Sequence, residues 1–328
     1  MKPSLLVVEL WGLGDLIIAT PFLQAASEKF QVTLVAKPFA KDLQPRFWPA
    51  VTLVPFVAPW TAFEGKYRLW RWPWREIFRL LKKLADHRFD FALSGRWDPR
   101  DHVLLRLVSA QARLGFARMG SQLFLTRPLA RPDRSSHRFE NWRAMAARLG
   151  LELPARDRIS LPTNRAGQGV LIHTGAGQPV RVWPLERYLN LVKRLRQLNV
   201  PVQVVCDPDQ LSWWRQAGHD LVVAPRTVAE LIGLLDRASA FVGNDSGAGH
   251  LAAFCGVPTF TIFGPQLPEW FAPLHPKAEW LEGKPCPYKP CSDSCRFPTP
   301  GCILDSGEEE VWERVSHFLR RNLPGFPT

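Results

Sequence analysis

The sequence predicts an α/β protein of two consecutive parallel-sheet domains facing across a cleft, on three observations. The chain has 328 residues, about twice the length of an ordinary domain. Its first 36 residues read as strand, tight turn, helix and strand. A second series of the same kind begins near Val170, after a stretch rich in Pro and Gly.

Leu5 to Leu10 is a short apolar run with branched residues, ended by Gly12 and Gly14, and the apolar periodicity from Leu16 to Phe30 predicts a helix. Val32 to Ala36 is the next strand, and the resulting βαβ unit implies a parallel sheet with helices on its faces. Further strands are predicted at Thr52 to Phe56 and Phe89 to Ser94, with helices at Trp74 to Asp86 and Arg134 to Leu149. Pro154, Pro162, Asn164, Gly167 and Gly169 mark a linker. Domains of 1–160 and 161–328 are expected, with the last helix packing back on the first domain. In the second series, strands are predicted at Val170 to His173, Val202 to Cys206, Phe241 to Gly243 and Thr259 to Phe263. Helices are predicted at Leu185 to Leu198, Val228 to Asp236 and Gly249 to Cys255.

Composition narrows the class. Hydrophobic residues make up 46% and charged residues 22%, which excludes a disordered or fibrous chain. No stretch reaches the ~18 uncharged apolar residues that a membrane span needs. Glu9 and Asp15 interrupt the N-terminal apolar run where a secretory signal needs an uncharged core, so a cytoplasmic protein is expected. The formal net charge is +12, which predicts an anionic partner: nucleic acid, phospholipid or a phosphorylated substrate.

The first turn, Trp11-Gly12-Leu13-Gly14-Asp15, follows a strand and opens a helix, where open α/β sheets place ligands. Position 17, where a dinucleotide fingerprint needs its third glycine, is Ile17, and the second strand runs to Lys37 rather than an acid. A carboxylate presented beside a cleft remains, suited to a general base, although an Asp here also serves simply as a helix cap. In the second domain, His173-Thr174-Gly175-Ala176-Gly177 follows a strand and leads to Arg181, a combination of loop amides and guanidinium that suits an anion. The most informative segment is Gly243-Asn244-Asp245-Ser246-Gly247-Ala248-Gly249-His250. A strand ends there, small residues admit close approach of a ligand, and a helix N-terminus faces what would be a diphosphate. Capping for Asp245 and Ser246 and core packing for His250 are the competing readings.

Four blocks resemble glycosyltransferase family 9, the lipopolysaccharide heptosyltransferases: Leu5 to Leu23, Ile172 to Tyr188, Phe241 to Pro265, and a Cys-containing stretch ending in the helix after Glu308. The resemblance implies the GT-B fold of two Rossmann-like domains, the first binding the acceptor and the second the nucleotide sugar. It implies Asp15 as catalytic base in an inverting transfer that requires no metal. The donor site it implies is formed by Arg181, Asp245, Ser246, Gly247 and His250; the loop positions Gly14, Thr174 and Gly175 are further donor-site candidates, and Asp209, in a loop after a strand, is a candidate to reach the ribose. Arg181 stands where the family often has Lys, and Val182 departs from its usual polar residue. Transfer of heptose from ADP-heptose to a lipopolysaccharide or other lipid-linked glycan is the expected reaction. The alternatives are another nucleotide sugar, or a non-catalytic binder of anionic ligands on the same scaffold.

Arg96, Arg100 and His102 follow a predicted strand and are candidates to grip acceptor phosphates, solvated charge being the other reading. The run from Lys66 to Arg75 interleaves cations with Tyr67, Trp70, Trp72 and Trp74, then continues into Arg79, Lys82 and Lys83. Membrane docking, nucleic-acid stacking and ordinary core packing compete for it. Trp sits well at headgroup level and each Lys or Arg near an anionic membrane contributes about 1 kcal/mol. An anionic membrane surface is therefore the expected partner, with no nucleic acid, placing a monomer at the inner face of the inner membrane. Cys286, Cys291, Cys295 and Cys302 cluster in a Pro-rich loop and are a candidate structural zinc site, against free or paired thiols.

Overall fold

The computed structural model describes residues 2–62, 64–133, 135–159, 161–162, 168–291 and 294–327. The chain divides into two compact units, at Leu153/Pro154 rather than at 160/161. The linker positions Asn164 and Gly167, and the predicted helix start at Arg134, lie outside the described residues.

The first unit contains β1 (Ser4–Glu9), α1 (Leu13–Lys29), β2 (Gln31–Ala36), α2 (Ala40–Phe47), β3 (Thr52–Pro55), α3 (Trp74–Ala85), β4 (Phe89–Ser94), α4 (Pro99–Leu107), β5 (Ala110–Phe116), β6 (Arg127–Leu129) and α5 (Phe139–Arg148). Its six strands form one parallel sheet in the order β3-β2-β1-β4-β5-β6. Strand β1 is central, which explains why Leu5, Leu6, Val7 and Val8 are all buried: a strand covered on both faces carries a continuous apolar run. On α3 the buried residues are Ile77, Leu80 and Leu84, at the three- and four-residue spacing of one helical face, with Leu81 half-buried beside them.

The second unit contains β7 (Val170–His173), α6 (Leu185–Gln197), β8 (Val202–Val205), α7 (Leu211–Gln216), α8 (Val228–Leu235), β9 (Ala240–Asn244), α9 (Gly247–Phe254), β10 (Thr259–Phe263), α10 (Pro268–Phe271), β11 (Glu279–Glu282), α11 (Gly301–Leu304) and α12 (Glu308–Asn322). Its five-stranded sheet is also parallel, ordered β11-β10-β9-β7-β8. Helix α12 buries Val311, Val315, Phe318 and Leu319 in the same core as β7, β9 and α6. The apolar stripe of α12 is thus taken up by its own unit. Among the described residues no helix is long and apolar enough to cross a membrane.

Candidate active site

Each sheet has one point where the chain, having built strands to one side, begins building to the other. Loops leaving adjacent strands there diverge and open a crevice at the strands' carboxyl ends. In the first sheet this point lies between β1 and β4, in the second between β7 and β9.

At the first point, Asp15 stands in the opening turn of α1. Its Oδ2 accepts from the Gly12 N–H (3.1 Å), so Asp15 does cap its helix. Its Oδ1 accepts from Arg96 Nη1 (2.9 Å), which arrives from the loop after β4. The Arg96 guanidinium also lies 4.6 Å from the Trp11 ring centroid. Behind this pair sits Glu9, the last residue of β1 and 2% exposed, whose Oε1 accepts from the Trp11 N–H (3.2 Å). Burial first, and then the charge of Asp15, push the Glu9 carboxyl up to about 8 against the pull of Arg96. Burial lowers the Lys37 amine below its ordinary range, although Asp15 and Glu9 act the other way. Burial and then Asp98 raise the Asp101 carboxyl to about 6, and Asp101 accepts from Trp60 Nε1 (2.8 Å) and Ser94 Oγ (3.1 Å). Arg138 covers the Trp97 ring at 4.4 Å and is lowered to about 10 by burial and then by Arg96.

The three expected acceptor residues separate. Arg96 joins Asp15. Arg100 forms a two-pronged pair with Asp98 through Nε (2.9 Å) and Nη2 (2.6 Å), and its guanidinium approaches the Tyr67 ring. His102 is fully buried, its Nδ1 2.8 Å from Ser121 Oγ. A ring sealed from solvent cannot grip an acceptor phosphate, which corrects the role expected of His102. Gly14 lies in the first turn of α1 in this unit.

At the second point, Arg181 Nη1 meets Asp245 Oδ2 at 3.3 Å, joining the loop after β7 to the end of β9. Asn244 fastens the same two loops. Its Nδ2 donates to the carbonyls of Thr174 (2.9 Å) and Gly175 (3.4 Å), while its Oδ1 accepts from the Trp183 N–H (3.0 Å) and the Tyr188 hydroxyl (2.9 Å). Two glycines are sterically required here. A Cβ at Gly175 would collide with the Asp207 carboxylate, and one at Gly243 would lie 2.8 Å from the His173 carbonyl.

Helix α9 begins at Gly247, two residues before the predicted start, and its first-turn N–H groups lack intrahelical partners as at any helix start. Ser246 is the N-cap residue, yet its hydroxyl is buried with no hydrogen-bond partner among the described residues; Arg181 Nε shares that condition. Donors held in place and left unspent are what an anion at this helix start would use. His250 is buried one turn further along. Thr174 is engaged internally: its hydroxyl donates to Gln210 Oε1 (2.8 Å) and accepts from Trp214 Nε1 (3.2 Å). Asp209 is exposed on a short turn after β8.

Among the described residues no three His, Cys, Asp or Glu side chains are grouped to hold an ion, Cys286, Cys291, Cys295 and Cys302 included. Cys291 Sγ and Cys295 Sγ instead approach separate backbone carbonyls, those of Tyr288 and Thr299. That arrangement does not support the structural zinc reading over the free-thiol one.

Sequence carried no signal for Glu9, Lys37, Asp101 or Arg138 as site residues, because each acquires its surroundings only from packing. Asn244 lay within the informative segment, but its bonding to residues up to 70 positions away could not be read there.

The profile of glycosyltransferase family 9 (heptosyltransferase) matches residues 77–298. Lipopolysaccharide core heptosyltransferase OpsX of Haemophilus influenzae is 21% identical over 299 residues, covering 83% of this chain and 82% of that protein. Lipopolysaccharide heptosyltransferase 3 of Escherichia coli is 29% identical over 104 residues, which span 29% of this chain and only 30% of that relative. Among solved structures, E. coli heptosyltransferase WaaC with ADP superposes with a TM-score of 0.73 at 19% identity, covering 96% of this chain and 99% of that one.

Proposed function

Since this chain belongs to glycosyltransferase family 9, we propose that it moves heptose from ADP-heptose to a lipopolysaccharide or related lipid-linked acceptor, with inversion at the anomeric carbon. On this reading the first unit handles the acceptor and the second the donor, and the enzyme works as a monomer on the cytoplasmic face of the inner membrane. Asp15 takes the proton from the acceptor hydroxyl as that oxygen bonds to the anomeric carbon. The bond from that carbon to the diphosphate oxygen breaks, and the nucleoside diphosphate leaves with the electron pair. Arg96 holds the Asp15 carboxylate in one orientation, so little reorganisation precedes proton transfer.

Charge growing on the leaving diphosphate meets Arg181, the Ser246 hydroxyl and the start of α9. Such preorganised donors are worth about 3–4 kcal/mol each where they act chiefly on the transition state. The observation that carries this reading is the second switch point: a buried hydroxyl at the α9 N-terminus and a guanidinium nitrogen of Arg181, the partner of the neighbouring Asp245, both without hydrogen-bond partners among the described residues.

Calorimetric titration of the whole protein with ADP-heptose, ADP, UDP and GDP tests it. Selective binding of the two adenine ligands is the expected result. Preference for UDP or GDP would replace the donor, and no binding of any of the four would overturn the reading.

A further inference from the structure

Between Tyr67 and Phe78 the first unit exposes large apolar side chains that a folded chain ordinarily covers. Tyr67 is 76% exposed and Trp70 77%, and Leu69, Trp74 and Phe78 also face outward. Core packing does not account for them, because α3 meets its core through Ile77, Leu80 and Leu84, with Leu81 beside them, and not through Trp74 or Phe78. Contiguous exposed apolar groups of this kind mark an interaction surface.

The surface is also strongly basic. Residues 64–83 contain seven Lys or Arg against Glu64 and Glu76. Glu76 lies 4.0 Å from Arg79, and the segment as a whole carries five more cations than acids.

The patch is anchored inward. Ring follows ring from Phe56 to Trp60 (6.1 Å), Trp72 (5.5 Å), Trp74 (5.6 Å) and Phe78 (6.3 Å). At its inner end Trp60 donates to Asp101, and Tyr67 lies under the Arg100 guanidinium. The exposed rings are thus continuous with the first turn of α4, the helix that follows the loop carrying Arg96.

We infer that residues 66–83 dock the first unit on an anionic phospholipid surface, with Tyr67, Leu69, Trp70, Trp74 and Phe78 seated at headgroup depth and the cations on the lipid phosphates. Lipid is favoured over nucleic acid because Trp72, Trp74 and Phe78 lean on one another, whereas a base platform needs free ring faces. Exposed Leu69 gains nothing from a base but gains from an interface. The inference deepens the proposed function by assigning a surface to its membrane partner, and it rests on that reading only for the identity of the lipid-linked acceptor.

The test is flotation of the full-length protein with vesicles of phosphatidylcholine alone, or of phosphatidylcholine with phosphatidylglycerol, beside a single-stranded DNA control. Binding should be at least about tenfold tighter to the anionic vesicles and should weaken with salt. The combined variant Tyr67→Ser, Trp70→Ser, Phe78→Ser should lose about tenfold or more of that binding while keeping its thermal midpoint. Arg71→Glu with Arg75→Glu, which keeps the rings, should lose it as well. Equal binding to neutral vesicles, no effect of either variant, or tighter binding to DNA than to vesicles would each overturn the inference. Vesicle binding needs no turnover, so an inactive protein that still floats would leave this surface standing and remove the proposed activity; the converse result would do the opposite.

Discussion

At the first switch point a carboxylate is closed by a guanidinium, with a second carboxyl buried behind it; at the second, a guanidinium and a hydroxyl stand with hydrogen-bonding capacity left over. Both arise from the same topology, two loops diverging from adjacent parallel strands. Asp15, Glu9 and Arg96 make a site whose acidic groups are compensated from within, suited to handling a proton. Arg181, Ser246 and the α9 terminus make one that is completed by an anion. The comparison teaches that one architecture supports opposite electrostatic tasks, decided by which residues end the strands.

The largest expected effect breaks the first site. Asp15→Asn should lower turnover by the ~10²–10⁴-fold typical of losing a general base, measured as nucleotide release from the donor in the presence of acceptor. Unchanged turnover would remove Asp15 from the chemistry.

Next is pH. The folded protein keeps the proton of Glu9 up to about 8 while the unfolded chain releases it near 4.5. Between those values the folded state binds more protons, so this group's contribution is full below about 4.5 and is lost as pH rises through 8. Glu9→Gln should abolish that loss, gaining on the order of a few kcal/mol relative to wild type at pH 9 compared with pH 5 in denaturant melts. His173 and His275, pushed down to about 4 by burial, act in the opposite sense: their contribution is present above 6.5 and is lost as pH falls towards 4. A wild-type profile flat across this range would contradict both assignments.

A smaller effect is expected at the second site. Arg181→Ala should weaken ADP by ~10–100-fold, the range for a hydrogen bond to a charged group. Smaller still, Ser246→Ala should leave the melting temperature unchanged, since its hydroxyl caps nothing. It should weaken ADP by only ~2–10-fold. A drop in melting temperature with ADP affinity intact would instead make Ser246 a structural residue.

The two sites also differ in how far the sequence discloses them. The second is largely local: a strand, small residues and a helix start within Gly243 to His250 announce an anion site without any partner being known. The first is not. Asp15 is visible in its turn, but Arg96 reaches it from 81 positions away. Glu9 reads only as a charge interrupting an apolar run, because burial by the sheet is a tertiary fact. Most predicted strands match within one or two residues, since β-branched runs bounded by Gly and Pro are strong signals. Those that left no signal are physically weak ones. Strand β11 reads Glu-Trp-Leu-Glu at a sheet edge, β5 carries Gln111 and Arg113, and α2 has Pro45 within it. The reverse failure is His102, a polar side chain in a plausible loop position that packing instead buried.

The most direct test of the central claim, that proton handling and donor binding belong to separate switch points, is calorimetric titration of ADP-heptose into Asp15→Asn. A dissociation constant within about twofold of wild type is expected, in a protein that no longer transfers. Donor affinity lost together with turnover would contradict it, and Asp15 would then belong to the donor site.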